Sequence, residues 1–360
     1  MAGDAPGRPA PLEATGTWTG SSRVQPASLP AVELLQRAAH DVELPQFPNT
    51  IVIADYGASA GHNSLLPIGA AISIVRHRAE SGRAIYVFHA EVAENDYEGL
   101  FRSLKADPQS YLRHDPAVFA SVIGQSVYQQ VVPTNIVTLG WSSWAVHWLS
   151  SVPTVIPDHV HIAGSRNEEA IKAFARQAAD DWISFLSARS RELVPGGRLV
   201  VLTMARDDGE AGYQPLLEAL AEELGVMVRE SVVTASEVLN MAIPSVGRTE
   251  TELTAPFAPK NRFAGLTVEH IEIVDADDQY WTRFQKHRNA DTFAKQWTAF
   301  ARKSVFPTLM TALEAGPTGA RAEDVVARLE SGLHRRLAGN PRRIRIPLAM
   351  MLLDKSSWPR

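Results

Sequence analysis

The 360-residue chain contains no cysteine. It can form no disulfide, present no thiolate nucleophile and build no zinc–thiolate site. No apolar run approaches the ~20 residues that a membrane-spanning helix needs, and no basic-then-apolar leader opens the chain. A cytoplasmic protein with no membrane partner is the expectation. A surplus of positive charge is also missing. The net charge of -5 leaves no electrostatic footprint for nucleic acid. There are no coiled-coil heptads and no internal repeats of useful length, which excludes solenoids and arrays. Lysine is scarce beside arginine and alanine is abundant, a mark of a GC-rich genome rather than of function. What remains is 45% hydrophobic and 21% charged, a globular composition with material for a large core. The length suits one large domain with an insertion, or two domains.

Residues 1–15 are rich in Pro, Gly and Ala without apolar period, and read as a disordered tail. Residues 32–39 read as a helix, closed off by Pro45 and Pro48. Strands are expected at 51–55, 84–89, 135–139, 197–204, 266–274 and 343–353. Helices are expected at 64–80, 95–105, 115–123 and 167–193. This alternation predicts a mainly parallel sheet covered on both faces. The stretches 206–263 and 276–339 carry helical periodicity and loops, and are assigned to a helical cap for substrate. The core is then 49–205 with 264–275 and 340–360, and 16–48 is an N-terminal segment closing over the site.

The most informative stretch is Ile51-Val-Ile-Ala-Asp55-Tyr-Gly57-Ala-Ser59-Ala-Gly61-His-Asn63-Ser-Leu65. It reads as a buried strand, a glycine turn and a helix start. Glycine lets a ligand approach the backbone, and the crevice outside the carboxyl ends of parallel strands is where nucleotide-like ligands sit. Ser59 stands where the second glycine of Gly-x-Gly-x-x-Gly belongs, so the dinucleotide pattern fails. Asp55 suits an ammonium group better than a pyrophosphate. The ligand is therefore read as an amino-acid nucleoside, S-adenosyl methionine, with a nicotinamide oxidoreductase as the runner-up.

Glu91, at the end of the second strand, is placed to accept ribose hydroxyls. A helix, a Pro-Gly-Gly turn (195–197) and an apolar strand follow later. Residues 139–150 gather Trp141, Trp144, Trp148 and His147 near the expected crevice. Pairs such as His159-x-His161 and His89-x-Glu91 supply only two ligands each, so no metal site is expected. Gly140-Trp-Ser142-Ser-Trp lacks the closing glycine of a nucleophile elbow. The acidic stretch 275–278 reads as a solvated turn, and Arg335, Arg336, Arg342 and Arg343 as helix-end and strand-edge charges.

Several blocks in order carry a resemblance. Residues 53–66 match Ile-Ala-Asp-Leu-Gly-Cys-Ser-x-Gly-x-Asn-Thr-Leu. Residues 88–104 resemble a block of the form Asn-Asp-Leu-Pro-x-Asn-Asp-Phe-Asn. Ser126-Val127-Tyr128 with Pro133 resembles Ser-Phe-Tyr-x-x-Leu-Phe-Pro. Residues 142–153 match Ser-Ser-x-x-Leu-x-Trp-Leu-Ser-x-Val-Pro, and 20–25 resemble Asn-Ser-x-x-Gln. Together they make the chain similar to the SABATH family of small-molecule carboxyl methyltransferases, named for salicylate, benzoate and theobromine enzymes, as a bacterial relative.

The resemblance implies a class I methyltransferase fold: a doubly wound, mainly parallel seven-stranded α/β sheet with an inserted helical cap. It places Trp18, Gln25, Asp55, Gly57, Asn63, Glu91, Val92, Ser126, Val127 and Ser142 at S-adenosyl-L-methionine. Glu91 stands where the family usually has Asp, and Val127 where it has Phe. Gln25 and Trp148 match the pair that holds the substrate carboxylate, with His147 beside them. Met241 and Trp297 are further pocket candidates. Gln25, Trp148 and His147 form the catalytic set. The implied reaction is methyl-ester formation on a small carboxylic acid, of the fatty-acid or benzoate kind, by a homodimer. N-methylation of a heterocycle and a non-catalytic acid-binding protein are the alternatives.

Overall fold

The computed structural model describes residues 29–61, 63–207 and 210–356. The tail 1–15, most of the closing segment, Trp18 and Gln25 lie outside the described residues. Strands β1 (Ile51–Tyr56), β2 (Ile85–Glu91), β3 (Val118–Gly124), β4 (Val137–Ser143) and β5 (Leu193–Met204) run parallel. A two-residue ladder follows, β6 (Arg206–Asp207) with β7 (Glu210–Ala211). Then come β8 (Leu266–Asp275) and β9 (Pro347–Lys355). The seven long strands form one sheet in the order β3-β2-β1-β4-β5-β9-β8, with β9 antiparallel to both neighbours. The order reverses between β1 and β4, which opens a crevice at their carboxyl ends.

β1 is buried along its whole length, Asp55 included, as a central strand sandwiched between helices should be. One face of the sheet packs on α1 (Leu29–Asp41) and α2 (Leu65–Arg78) through Ile51, Ile53, Val87 and Leu139. The other packs on α4 (Glu168–Glu192), which turns Trp182, Phe185 and Leu186 inward. Each such side chain contributes about 1.5–3 kcal/mol of burial. Asn167 starts α4 by accepting the N–H of Ala170, with Glu168 and Glu169 in the first turn. α3 (Tyr97–Ala106) follows β2.

Two expectations change. Residues 115–123, expected helical, contain β3, paired with β2 from Val118 to Gly124. As an edge strand β3 is only half-buried, and so short an apolar run carries too few turns for period to separate strand from helix. The last strand begins at Pro347 rather than 343, because the chain before it is held by side chains. Asp278 accepts the N–H of Ile344 (3.0 Å) and Asp275 that of Ile346 (3.0 Å). Asp278 is therefore buried rather than part of a solvated turn, and burial raises its pKa. The arginines nearby pair with carboxylates: Arg336 with Glu222 and Glu223, Arg342 with Glu218, Arg343 with Asp275.

Beyond the sheet, α5 (Gln214–Arg229) packs on α11 (Ala320–Gly339). α8 (Gln279–His287), α9 (Ala290–Ser304) and α10 (Phe306–Met310) complete that helical layer with the short α6 (Ala235–Asn240). The expected cap at 206–263 is divided. α7 (Glu250–Thr254) and the turn after it lie on the opposite side of the sheet, where Leu253 and Phe257 join Trp182 and Leu266. The indole of Trp182 donates to the carbonyl of Leu253 (2.9 Å), which anchors this crossing.

Candidate active site

A cavity of about 690 Å³ opens at the carboxyl ends of β1, β2 and β4. β1 leads into the glycine turn. Gly57 has φ +93°, and a Cβ there would stand 2.2 Å from that of Ala145, so only glycine fits. Ser59 holds φ +47°, and its carbonyl accepts the amide of Asn95 (2.9 Å). The N–H of Ser59 reaches one oxygen of Glu91 (2.9 Å), while the N–H of Val92 reaches the other (2.9 Å). Burial pushes the Glu91 pKa up, and the two backbone donors oppose that shift. Each carboxylate oxygen accepts more than one hydrogen bond, so Glu91 keeps lone pairs for a ligand diol. Glu91, Val92, Ser126, Val127, Gly57 and Asn63 all line this end of the cavity.

The loop 125–131 is held from below by a buried network. Arg189 forks onto Glu192 (2.8 and 2.9 Å) and donates to the carbonyls of Val127 (2.6 Å) and Gln129 (2.8 Å). Glu192 also accepts Tyr56 Oη (2.7 Å) and the N–H of Val131 (2.5 Å). Sequence reasoning missed this network. Its only trace is a pair of opposite charges three residues apart at the end of a helix.

At the far end, Trp144 holds φ +59°, a left-handed conformation that costs a bulky residue on the order of 1 kcal/mol. The next residues form a turn whose carbonyls are each claimed. Val146 O accepts Arg248 Nη1 (2.6 Å) and lies 3.2 Å from Tyr128 Oη. His147 O accepts the N–H of Val246 (2.9 Å), and Trp148 O accepts Tyr128 Oη. Arg248 also donates to Ala178 O on α4 (2.8 and 3.2 Å). The rings of His147 and Trp148, both on the cavity wall, are thus aimed by their backbone before any ligand arrives. Burial, with the charge of Arg248 behind it, pushes the His147 pKa down to about 3. The ring is neutral at pH 7 and unsuited to act as a general base there. Tyr213, Leu216, Leu217, Ile243, Phe300 and Val305 supply apolar wall.

Four sequence-predicted residues lie elsewhere. Asp55 alternates with Ile51 and Ile53 toward the α2 face, where its carboxylate meets His89 Nδ1 (2.7 Å). His89 Nε2 in turn meets Tyr111 Oη (2.6 Å). The in-register pairing of Asp55 with His89 explains this placement. Ser142 is buried and donates to Tyr56 O (2.9 Å), so strand alternation puts Ser143 on the cavity in its place. Met241 is fully buried in the helical core, and Ile243, two residues on, takes the wall position. Trp297 stands behind the wall, edge-on to Tyr213 (5.9 Å) and Phe300 (5.4 Å). The helical periodicity of 276–339 was visible in sequence, but not which side chains of α9 reach the cavity.

The profile of the SAM dependent carboxyl methyltransferase family matches residues 15–319. The chain is 29% identical over 227 residues to S-adenosyl-L-methionine:benzoic acid/salicylic acid carboxyl methyltransferase 3 of Petunia hybrida, covering 59% of this chain and 63% of that one. It is 28% identical over 247 residues to the salicylate carboxymethyltransferase of Clarkia breweri, 66% of each. It is 31% identical over 195 residues to the farnesoic acid carboxyl-O-methyltransferase of Arabidopsis thaliana, 51% of this chain and 53% of that one. The matches thus span 63% or so of the length of the first of these curated relatives. A solved structure of loganic acid methyltransferase with SAH shares the fold, with TM-score 0.72 and 22% identity over 92% of this chain and 94% of that one.

Proposed function

The chain belongs to the SAM-dependent carboxyl methyltransferase family, and from that premise we propose that it converts a small, mainly apolar carboxylic acid to its methyl ester. One observation carries the reading. A single cavity joins a carboxylate pinned at a glycine turn to a pair of uncharged rings set in apolar wall. When bound, S-adenosyl methionine supplies an electrophilic methyl group. Glu91 is assigned to its ribose hydroxyls, and the backbone of Gly57, Ser126 and Val127 to the rest of the nucleoside.

The acid is already ionised at pH 7, so no base is needed, in keeping with a neutral His147. The protein's task is to position reactants, a contribution on the order of 7–11 kcal/mol. The Trp148 indole holds one carboxylate oxygen and leaves the other free to attack. Gln25 is assigned the second donor on the resemblance alone. Neutral donors suit a reaction in which the acceptor's charge is vanishing. A contacting guanidinium would favour the ground state over the transition state. Apolar walls from Leu216, Leu217 and Phe300 fit a hydrocarbon body, aliphatic or aromatic.

Transfer of tritiated methyl to a panel of fatty and aromatic acids tests the reading. Ester from at least one acid supports it, and none from any acid refutes it. A thermal-shift comparison separates the cofactors: stabilisation by S-adenosyl homocysteine is expected, and none by NAD.

A further inference from the structure

On the cavity wall, Ser245 and His161 form a polar pair among apolar neighbours, both at most 4% exposed. The N–H of Ala163 donates to His161 Nδ1 (3.1 Å), so that nitrogen carries no proton. Burial pushes the His161 pKa down to about 4, so the ring is neutral at pH 7 and its one proton sits on Nε2. Nε2 lies 3.1 Å from Ser245 Oγ and therefore donates to it. The hydroxyl proton of Ser245 is left over, and it is donated to no described residue. Asp181, the buried carboxylate on the same wall, is occupied by Ser150 and Gln177.

An antiparallel bridge sets Ser245 opposite Trp148. Residues opposed in this way project to one side, with Cβ atoms about 5 Å apart. A donor with a fixed direction thus stands beside the indole assigned to the carboxylate.

We propose that Ser245, oriented by His161, is a specificity subsite for an oxygen substituent, hydroxyl or oxo, carried near the carboxyl end of the acid. The proposal rests on the methyl-ester reading above. A substrate oxygen accepts the Ser245 proton. An acid without that oxygen leaves a buried donor unpaired, at a cost of at least about tenfold in kcat/KM.

The test measures kcat/KM for octanoate and benzoate, and for their hydroxylated derivatives substituted next to the carboxyl group or at the far end. A derivative substituted near the carboxyl group should exceed its parent at least about tenfold. Ser245→Ala should collapse that ratio toward one, with folding checked by thermal shift in S-adenosyl homocysteine. Equal rates for parents and derivatives, preference only for far-end substitution, or a preference that survives Ser245→Ala would each overturn the subsite while leaving ester formation intact. If neither parents nor derivatives are esterified, the functional reading fails and takes the subsite with it.

Discussion

The glycine-turn end of the cavity is built from backbone groups and tied to strand ends, with Glu91 held by two N–H donors and the 125–131 loop held by Arg189. The opposite end is walled by side chains from α5, α9 and the 241–248 segment, distant in sequence. The first arrangement constrains which residues can stand at each position. The second is set mainly by shape, with polar direction confined to His147, Trp148 and the Ser245–His161 pair, and its apolar side chains can change one at a time.

That contrast can be broken by experiment. The largest effect is expected from Arg189→Met, which leaves the buried carboxylate of Glu192 without its cationic partner. It should lower stability by about 3–5 kcal/mol in urea unfolding and weaken adenosyl binding. Next, Trp148→Ala should reduce kcat for ester formation by about 10²–10³ while leaving affinity for S-adenosyl homocysteine, read by calorimetry, little changed. Glu91→Gln should do the reverse, with cofactor affinity falling about tenfold or more and the turnover of saturated enzyme far less affected.

Acid sharpens the picture at the other end. The unfolded chain protonates His147 near pH 6.5, whereas the folded site holds out to about 3. On acidification below 6.5 the unfolded state gains a proton that the folded state refuses, so stability falls by about 2 kcal/mol at pH 5 from this residue. His161, held to about 4, acts in the same direction. Urea midpoints at pH 7 and 5 would show the loss, and His147→Gln should shrink it. The smallest effect is expected from Trp297→Phe behind the wall: under about 1.5 kcal/mol of stability, with kcat/KM nearly unchanged.

The glycine-turn end was the legible one. Its chemistry lies in contiguous stretches, and a φ above zero or a pinned carboxylate demands particular residue types, as at Gly57 and Glu91. Even there, alternation along a strand decided more than spacing did: Asp55 and Ser142 sit in the expected stretches, but their side chains bond His89 and Tyr56 rather than lining the cavity. β3 was misread because an edge strand lacks the unbroken burial that marks β1. Ser245 and Arg248 were not singled out, and His161 only as half of a two-histidine pair, because their meaning comes from three segments meeting, and no periodicity records such a meeting. The far end was legible only in the stretch 139–150 with Trp148 and His147, which the resemblance also supplied.

The segment between α6 and α7 is fastened to the body along its whole run. Ile243 N donates to Val160 O (2.8 Å), Pro244 O accepts from Leu149 (2.7 Å), Val246 N donates to His147 O (2.9 Å), and Arg248 exchanges bonds with residues 204 and 206. With each bond worth about 0.5–1.5 kcal/mol, peeling this strap away would consume much of a typical domain's total stability. The helical layer therefore cannot swing as one hinged flap about its two ends. Entry and exit of small molecules must be accommodated by other parts of the rim, and hydrogen exchange across 241–249 should be as slow during turnover as at rest.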